Sequence, residues 1–198
     1  MSTSRPYIVG VGGALHPGST TEHALRHALA ALDAEIDLFT GPQLSLPLYA
    51  PHLGLEVPDA QRMIAALRRA DGIILAAPGY HGSLSGVMKN VLDYTEAMRE
   101  DERPYFSGRA VGCIANAAGW QGAVATLHAM RDVVHALRGW PTPLGVCIAG
   151  PDKPFDAQGN CRQPAVAWQL DTMAREVLDF ARRTVLMREA PLATVRAA

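Results

Sequence analysis

Gly72-Ile73-Ile74-Leu75-Ala76-Ala77, followed by Pro78-Gly79-Tyr80-His81-Gly82-Ser83, is the stretch that decides the fold. The first part is apolar without interruption and too short for a helix, so it reads as a strand buried on both faces. The Pro-Gly pair then turns the chain. A strand covered on both faces belongs to a parallel sheet flanked by helices. Outward from it, Tyr7–Gly12 has the same character, and Glu35–Phe39 is a shorter candidate. Residues 109–115 and 144–149 supply two more.

Helical spacing fills the gaps. Ser19 followed by Glu22 is a capping-box signature, and Ala24, Leu25, Ala28, Leu29 and Leu32 then recur on one face. Asp59 precedes Met63, Ile64 and Leu67 in the same manner. Helices are expected over residues 85–98, over 122–138 with Gly139 as the stop, and over 165–187. Residues 40–58 hold Pro42, Pro47, Pro51 and Pro58 and read as loop. Strand and helix alternate throughout. The expectation is therefore an α/β three-layer sandwich: a five-stranded parallel sheet with helices on both faces, flavodoxin-like or half-Rossmann. The 198 residues suit one domain at ~150 residues per domain, placed over 1–187 with a loose tail over 188–198.

Composition excludes several classes. The 18 basic and 19 acidic residues nearly cancel, whereas a nucleic-acid binder needs a surplus of Lys and Arg. No apolar run approaches the ~20 residues of a membrane helix. The first residues carry Arg5 but no apolar stretch, which argues against a signal peptide. Cys113, Cys147 and Cys161 are sparse and odd in number with no CxxC pair, which suits a reduced, cytoplasmic setting.

In such sheets ligands bind beyond the carboxyl ends of the strands, where the strand order reverses. The loops after the first, third and fourth strands are all unusual. The first brings Gly13 and His16 to a helix start carrying the hydroxyls of Ser19, Thr20 and Thr21. Free N–H groups and the helix dipole make that place suited to a phosphate. Neither GxGxxG nor GxxxxGK[ST] is present, which disfavours a dinucleotide fold site or a nucleoside-triphosphate loop. The second loop, Pro78, Gly79, Tyr80, His81, Gly82 and Ser83, offers accessible backbone and two flat side chains to a planar ring. In the third, Asn116, Ala117, Ala118, Gly119, Trp120 and Gln121 combine small residues with amides able to bond a heterocycle.

The residues Pro78, Tyr80, Gly82, Ser83, Gly86, Lys89 and Asn90, followed by Asp93, resemble the Pro-x-Tyr-x-Gly-Ser-x-x-Gly-x-x-Lys-Asn pattern of the NADPH-dependent FMN reductase family. The likeness spans roughly residues 7–149. The first loop departs from that family, with Gly13 in place of Ser and His16 where Arg is usual. The resemblance implies FMN, with its phosphate held by Ser19, Thr20, Thr21 and His16. It places the flavin ring against residues 78–83 and the pyrimidine edge near residues 116–121. It also implies NADPH or NADH as hydride donor, and a small-molecule electron acceptor such as free flavin or a quinone. No side-chain acid or nucleophile is required, because the cofactor carries the chemistry. A homodimer or homotetramer is implied, with residues 85–98 and 100–106 as the contact. The competing reading is a flavodoxin-like electron carrier that does not use NAD(P)H. The balanced charge speaks against it, since carriers use an acidic face for steering.

The remaining chemistry-bearing residues read as structural. Cys113 and Cys147 lie inside expected strands. His23 and His27 have i, i+4 spacing but no third metal ligand in view, and His128 and His135 are two turns apart.

Overall fold

The computed structural model describes residues 5–53 and 56–189. Its strands are β1 (Tyr7–Gly12), β2 (Glu35–Phe39), β3 (Gly72–Tyr80), β4 (Ser83–Leu84), β5 (Ala110–Ala117), β6 (Trp140–Pro141) and β7 (Val146–Ala149). The helices are α1 (Thr20–Ala30), α2 (Pro58–Arg69), α3 (Gly86–Asp93), α4 (Trp120–Ala136) and α5 (Pro164–Glu189).

The parallel sheet runs β2-β1-β3-β5, and the fifth position is shared by β6 and β7, both paired with β5. The expected strand over 144–149 is thus real but preceded by a separate two-residue piece, because the chain leaves the sheet between Pro141 and Val146. Order 2-1-3-4-5 is the flavodoxin-like arrangement, which resolves the alternative left open by the sequence. One core packs α2, α3 and α4 on one face, centred on Val9, Ile73, Leu75 and Val111. The other packs α1 and α5 on the opposite face, around Ile8, Ile74, Ile114 and Ile148. The alternation of Ile73 with Ile74 between these cores is the period-2 pleat of a strand buried on both sides.

Several boundaries differ from the sequence reading. β3 continues through Pro78 and Gly79 to Tyr80, so what looked like a loop is half strand. The helix expected over 85–98 ends at Asp93 and tightens into a 3-10 turn over Tyr94–Met98. α4 starts at Trp120, not 122, and ends at Ala136. α5 extends to Glu189, and the remainder of the expected loose tail, residues 190–198, lies outside the described residues.

At the pole of the sheet opposite the three loops, Arg109 has no exposed surface. Its Nε donates to the Ala70 carbonyl (2.9 Å) and its Nη2 to the Arg68 carbonyl (2.7 Å). Its Nη1 reaches the carbonyls of Tyr105 (2.9 Å) and Ser107 (3.2 Å). Burial, with Arg103 nearby, pulls its pKa down to about 10. Beside it the buried Asp71 accepts from the Tyr7 amide (2.9 Å) and pairs with Arg188 of α5.

Candidate functional site

β1 sends its helix to one face and β3 sends its own to the other, so their carboxyl ends part and leave a crevice. Gly13 sits in the cleft. Its amide donates to the Ala76 carbonyl (2.7 Å), and its carbonyl accepts from the Ser85 hydroxyl (2.8 Å). Ser85 also caps α3, accepting from the Met88 amide (3.2 Å). One hydroxyl therefore fixes both the first loop and the start of α3. Gly13 is obligatory here: a Cβ would lie 2.6 Å from the Met88 Cβ.

A cavity of about 520 Å3 opens between these segments. Gly13, His16, Ser19 and Thr21 of the first loop and helix line one side. Pro78, Tyr80 and Asn116 line the other. These are the expected residues that the fold brings together. Ala14, Leu15, Ser85, Gly86 and Val87 complete the wall and were not singled out as site residues. The signal for Ser85 lay in its position as a helix cap, and Val87 lay in the apolar stripe of the following helix.

The helix start is capped by side chains on both sides of its first turn. Ser19 is the N-cap of α1, accepting from the Glu22 amide (3.2 Å). The Glu22 carboxylate accepts from Gly18 N–H (2.9 Å), one residue earlier than a standard capping box, and from Arg26 Nε (2.8 Å). Burial alone would raise the Glu22 pKa, but the bonds from Arg26 and Gly18 outweigh it and hold it below the ordinary value. Thr21 is buried, and its hydroxyl has no hydrogen-bond partner within the chain. A buried hydroxyl without a partner is costly, so its position in the wall of an open cavity requires an explanation.

The second segment is a hairpin rather than a loop. Gly79 pairs with Leu84 and Tyr80 with Ser83, leaving His81 (φ 53°) and Gly82 (φ 85°) as the two turn residues. Both angles fit a type I′ turn, the geometry that matches strand twist. His81 and Gly82 are exposed at the tip, outside the cavity wall. Gly79 also lies outside the wall; a Cβ there would lie 2.2 Å from the Thr126 hydroxyl of α4. Thr20 and Ser83 likewise lie outside it. The third segment contributes Asn116, still in β5, whereas Ala117, Ala118, Gly119, Trp120 and Gln121 stand beyond the wall. Trp120 and Gln121 occupy the first turn of α4 with Gly119 as N-cap, and Trp120 is 58% exposed.

Residues 6–152 match the family model for NADPH-dependent FMN reductase. The chain belongs to that family. Among curated NADPH-dependent FMN reductase relatives, an NAD(P)H-dependent FMN reductase of Pseudomonas aeruginosa is 30% identical over 174 residues, covering 86% of this chain and 88% of that one. An FMN-dependent NADPH-azoreductase of Staphylococcus aureus is 31% identical over 143 residues, covering 71% of each chain. The fold is shared with FerB, a flavoenzyme NAD(P)H:(acceptor) oxidoreductase from Paracoccus denitrificans, at TM-score 0.69 and 18% identity, over 90% of this chain and 98% of that one. A WrbA-like flavodoxin protein from Agrobacterium tumefaciens aligns at TM-score 0.61 and 19% identity, over 91% and 99%. Membership in the FMN reductase family implies a flavin, and the site fits one. The partnerless Thr21 hydroxyl beside the Ser19 cap suits a phosphate, and the buried Pro78 with Tyr80 suits a flat ring.

Proposed function

We propose that the crevice between β1 and β3 holds FMN, with Ser19, Thr20 and Thr21 on the phosphate and His16 at its edge. The observation that carries this is the buried, partnerless Thr21 hydroxyl in the cavity wall at the start of α1. Phosphate oxygens would give it an acceptor, and the free N–H groups of the first helical turn would share the anion. Pro78 and Tyr80 flank the ring, and the Asn116 amide stands at its polar edge.

The activity is that of the family: FMN-dependent oxidation of NAD(P)H with delivery of electrons to a small-molecule acceptor. Bound FMN supplies the ring that accepts hydride from the nicotinamide. The chain supplies position. Ser85 and Gly13 tie the first loop to the start of α3, which would hold a bound ring in one orientation. Pro78 is buried while Tyr80 is 61% exposed, so the ring has a fixed inner neighbour and an adjustable outer one.

We propose further that residues 1–187 work as one domain in the cytoplasm, where the free thiols of Cys113, Cys147 and Cys161 stay reduced. Two copies associate through residues 85–98 and 100–106. Light scattering reads the association, and cell fractionation reads the compartment.

The deciding experiment mixes FMN-loaded protein with NADPH in an anaerobic stopped-flow cell. Rapid bleaching of the flavin band supports the enzyme. A protein that takes up FMN but shows no bleaching over minutes is the electron carrier instead.

A further inference from the structure

The segment between β7 and α5 is more heavily cross-linked than a simple connection requires. It lies past residue 152, where the match to the family model ends. Phe155 and Cys161 form an antiparallel bridge that closes a small hairpin. The tip is wound around one carboxylate. Asp156 accepts from the amides of Gln158 (3.0 Å) and Asn160 (2.8 Å), from the Asn160 side-chain amide (3.1 Å) and from Arg162 Nε (2.7 Å). These bonds, those from Asn160 foremost, pull its pKa down to about 2, so the hub of the hairpin is an ionised acceptor at neutral pH. At the base, the Arg162 amide donates to the Pro154 carbonyl (2.6 Å).

This hairpin packs on α1. The Phe155 ring meets those of His23 and His27, with centroids 5.8 Å and 6.5 Å apart. His27 Nε2 lies 3.2 Å from a carboxylate oxygen of Asp171, which ties α1 to α5. At the tip, Gly159 (φ 83°) stands so close to His23 that a Cβ there would come within 2.5 Å of Nδ1. The other nitrogen of the same ring faces the first loop, with Nε2 3.8 Å from where a Cβ on Gly18 would lie. His23 is therefore wedged between the hairpin tip and Gly18. Gly18 directly precedes the Ser19 cap, and its amide is fixed to Glu22 (2.9 Å). Neither His23 nor Gly18 lines the cavity, so the ring acts on the loop without touching a ligand.

We propose that His23 is a positioning residue of the phosphate site: the hairpin built on Asp156 seats the His23 ring against Gly18, and the ring holds the Gly18–Ser19 backbone ready for the anion. The identity of the ligand rests on the flavin reading above; the link from hairpin to loop does not. A loop already held in its bound geometry gives up less conformational freedom when the ligand arrives, so the support is felt as affinity. The side chains that touch the ligand are then only half of the site. The other half is a chain of contacts running from Asp156 through Gly159 and His23 to Gly18.

The test compares the full-length wild type with Asp156→Ala, Asp156→Asn and His23→Ala. Amide hydrogen exchange is followed by mass spectrometry in FMN-free protein, FMN affinity by fluorescence titration, and stability by thermal melting. Asp156 lines no part of the cavity, so its replacement reaches the first loop through the hairpin. In Asp156→Ala, exchange should rise at residues 13–19 as well as at 153–162, with β1 and β3 unchanged, and the Kd for FMN should rise about fivefold or more. His23→Ala should reproduce both effects at the first loop. Asp156→Asn keeps an acceptor oxygen for the two amides and should stay within about twofold of the wild type. Exchange that rises only at 153–162, with FMN affinity unchanged, overturns the proposal. So does faster exchange spread over β1, β3 and α5 in step with a lower melting temperature, which is what a merely structural role would give. Should Asp156→Ala fail to fold, His23→Ala decides by the same two readings. A wild type that takes up no FMN removes the flavin reading, and the exchange data then decide the link between hairpin and loop by themselves.

Discussion

The hydroxyl of Ser85 donates to the carbonyl oxygen of Gly13 across 72 residues of sequence, at 2.8 Å, while its lone pairs cap α3. This contact joins two residues of the cavity wall. Replacing Ser85 with Ala removes the cap and leaves the Gly13 carbonyl without that partner. The expected cost is about 1–2 kcal/mol of stability in urea denaturation. A weakening of FMN binding in a fluorescence titration should accompany it, because the loops are no longer tied.

Gly13 stands where the family pattern has Ser, and restoring that Ser should harm the protein. The added Cβ meets the Met88 Cβ at 2.6 Å and its Cα at 3.2 Å, atoms that a change of rotamer cannot move. Gly13→Ser should cost ~1–3 kcal/mol by overpacking. Shortening the neighbour in Gly13→Ser/Met88→Ala should fail to rescue it, because the offending atoms remain. Recovery of the melting temperature in the double variant would refute this account.

Thr21→Val separates folding from binding. The isosteric change removes a buried hydroxyl that has no partner within the chain, so the FMN-free protein should be as stable as the wild type or more so. The FMN-loaded protein should lose a hydrogen bond to a charged group, worth ~1.5–3 kcal/mol or roughly a tenfold or greater rise in Kd. Thermal melts with and without excess FMN read both effects, which should differ in sign.

Glu22 makes the anion site sensitive to acid. Its pKa is lowered in the folded protein, since the bonds from Arg26 and Gly18 overcome the effect of burial. The folded state then binds the proton more weakly than the unfolded chain. The stabilisation is complete above the ordinary glutamate value and fades as pH falls through the lower folded one. Glu22→Gln should be less stable than the wild type at neutral pH, and the gap should narrow at an acidic pH below the ordinary glutamate value. Denaturation curves at the two pH values check it.

The parts of the fold that the sequence revealed are those with local physical causes. β1 and β3 announce themselves because both faces are buried and the apolar run is unbroken. The start of α1 is legible because Ser19 and Glu22 mark it, although the Glu22 carboxylate chose the Gly18 amide. The hairpin at His81 and Gly82 was hidden, since Pro78 just before it argues against a strand and the returning strand β4 is only two residues long. The start of α4 was hidden as well, because Gly119 and Gly122 both discourage a helix around Trp120 and Gln121. Long-range features left the least trace. Nothing near Ser85 in sequence points to Gly13, and nothing near Asn90 points to the Tyr49 amide it accepts from.

Arg109 gives the molecule an anchor whose hydrogen bonds all go to backbone oxygens and none to a carboxylate. Its guanidinium binds backbone oxygens of residues 68, 70, 105 and 107, atoms that every sequence possesses and that added electrolyte does not strip away. The far pole of the sheet is thereby bolted independently of the residues around the crevice. Mutational drift among the ligand-facing loops can proceed over a foundation it never touches, so new acceptors are within reach of this scaffold without refounding its base.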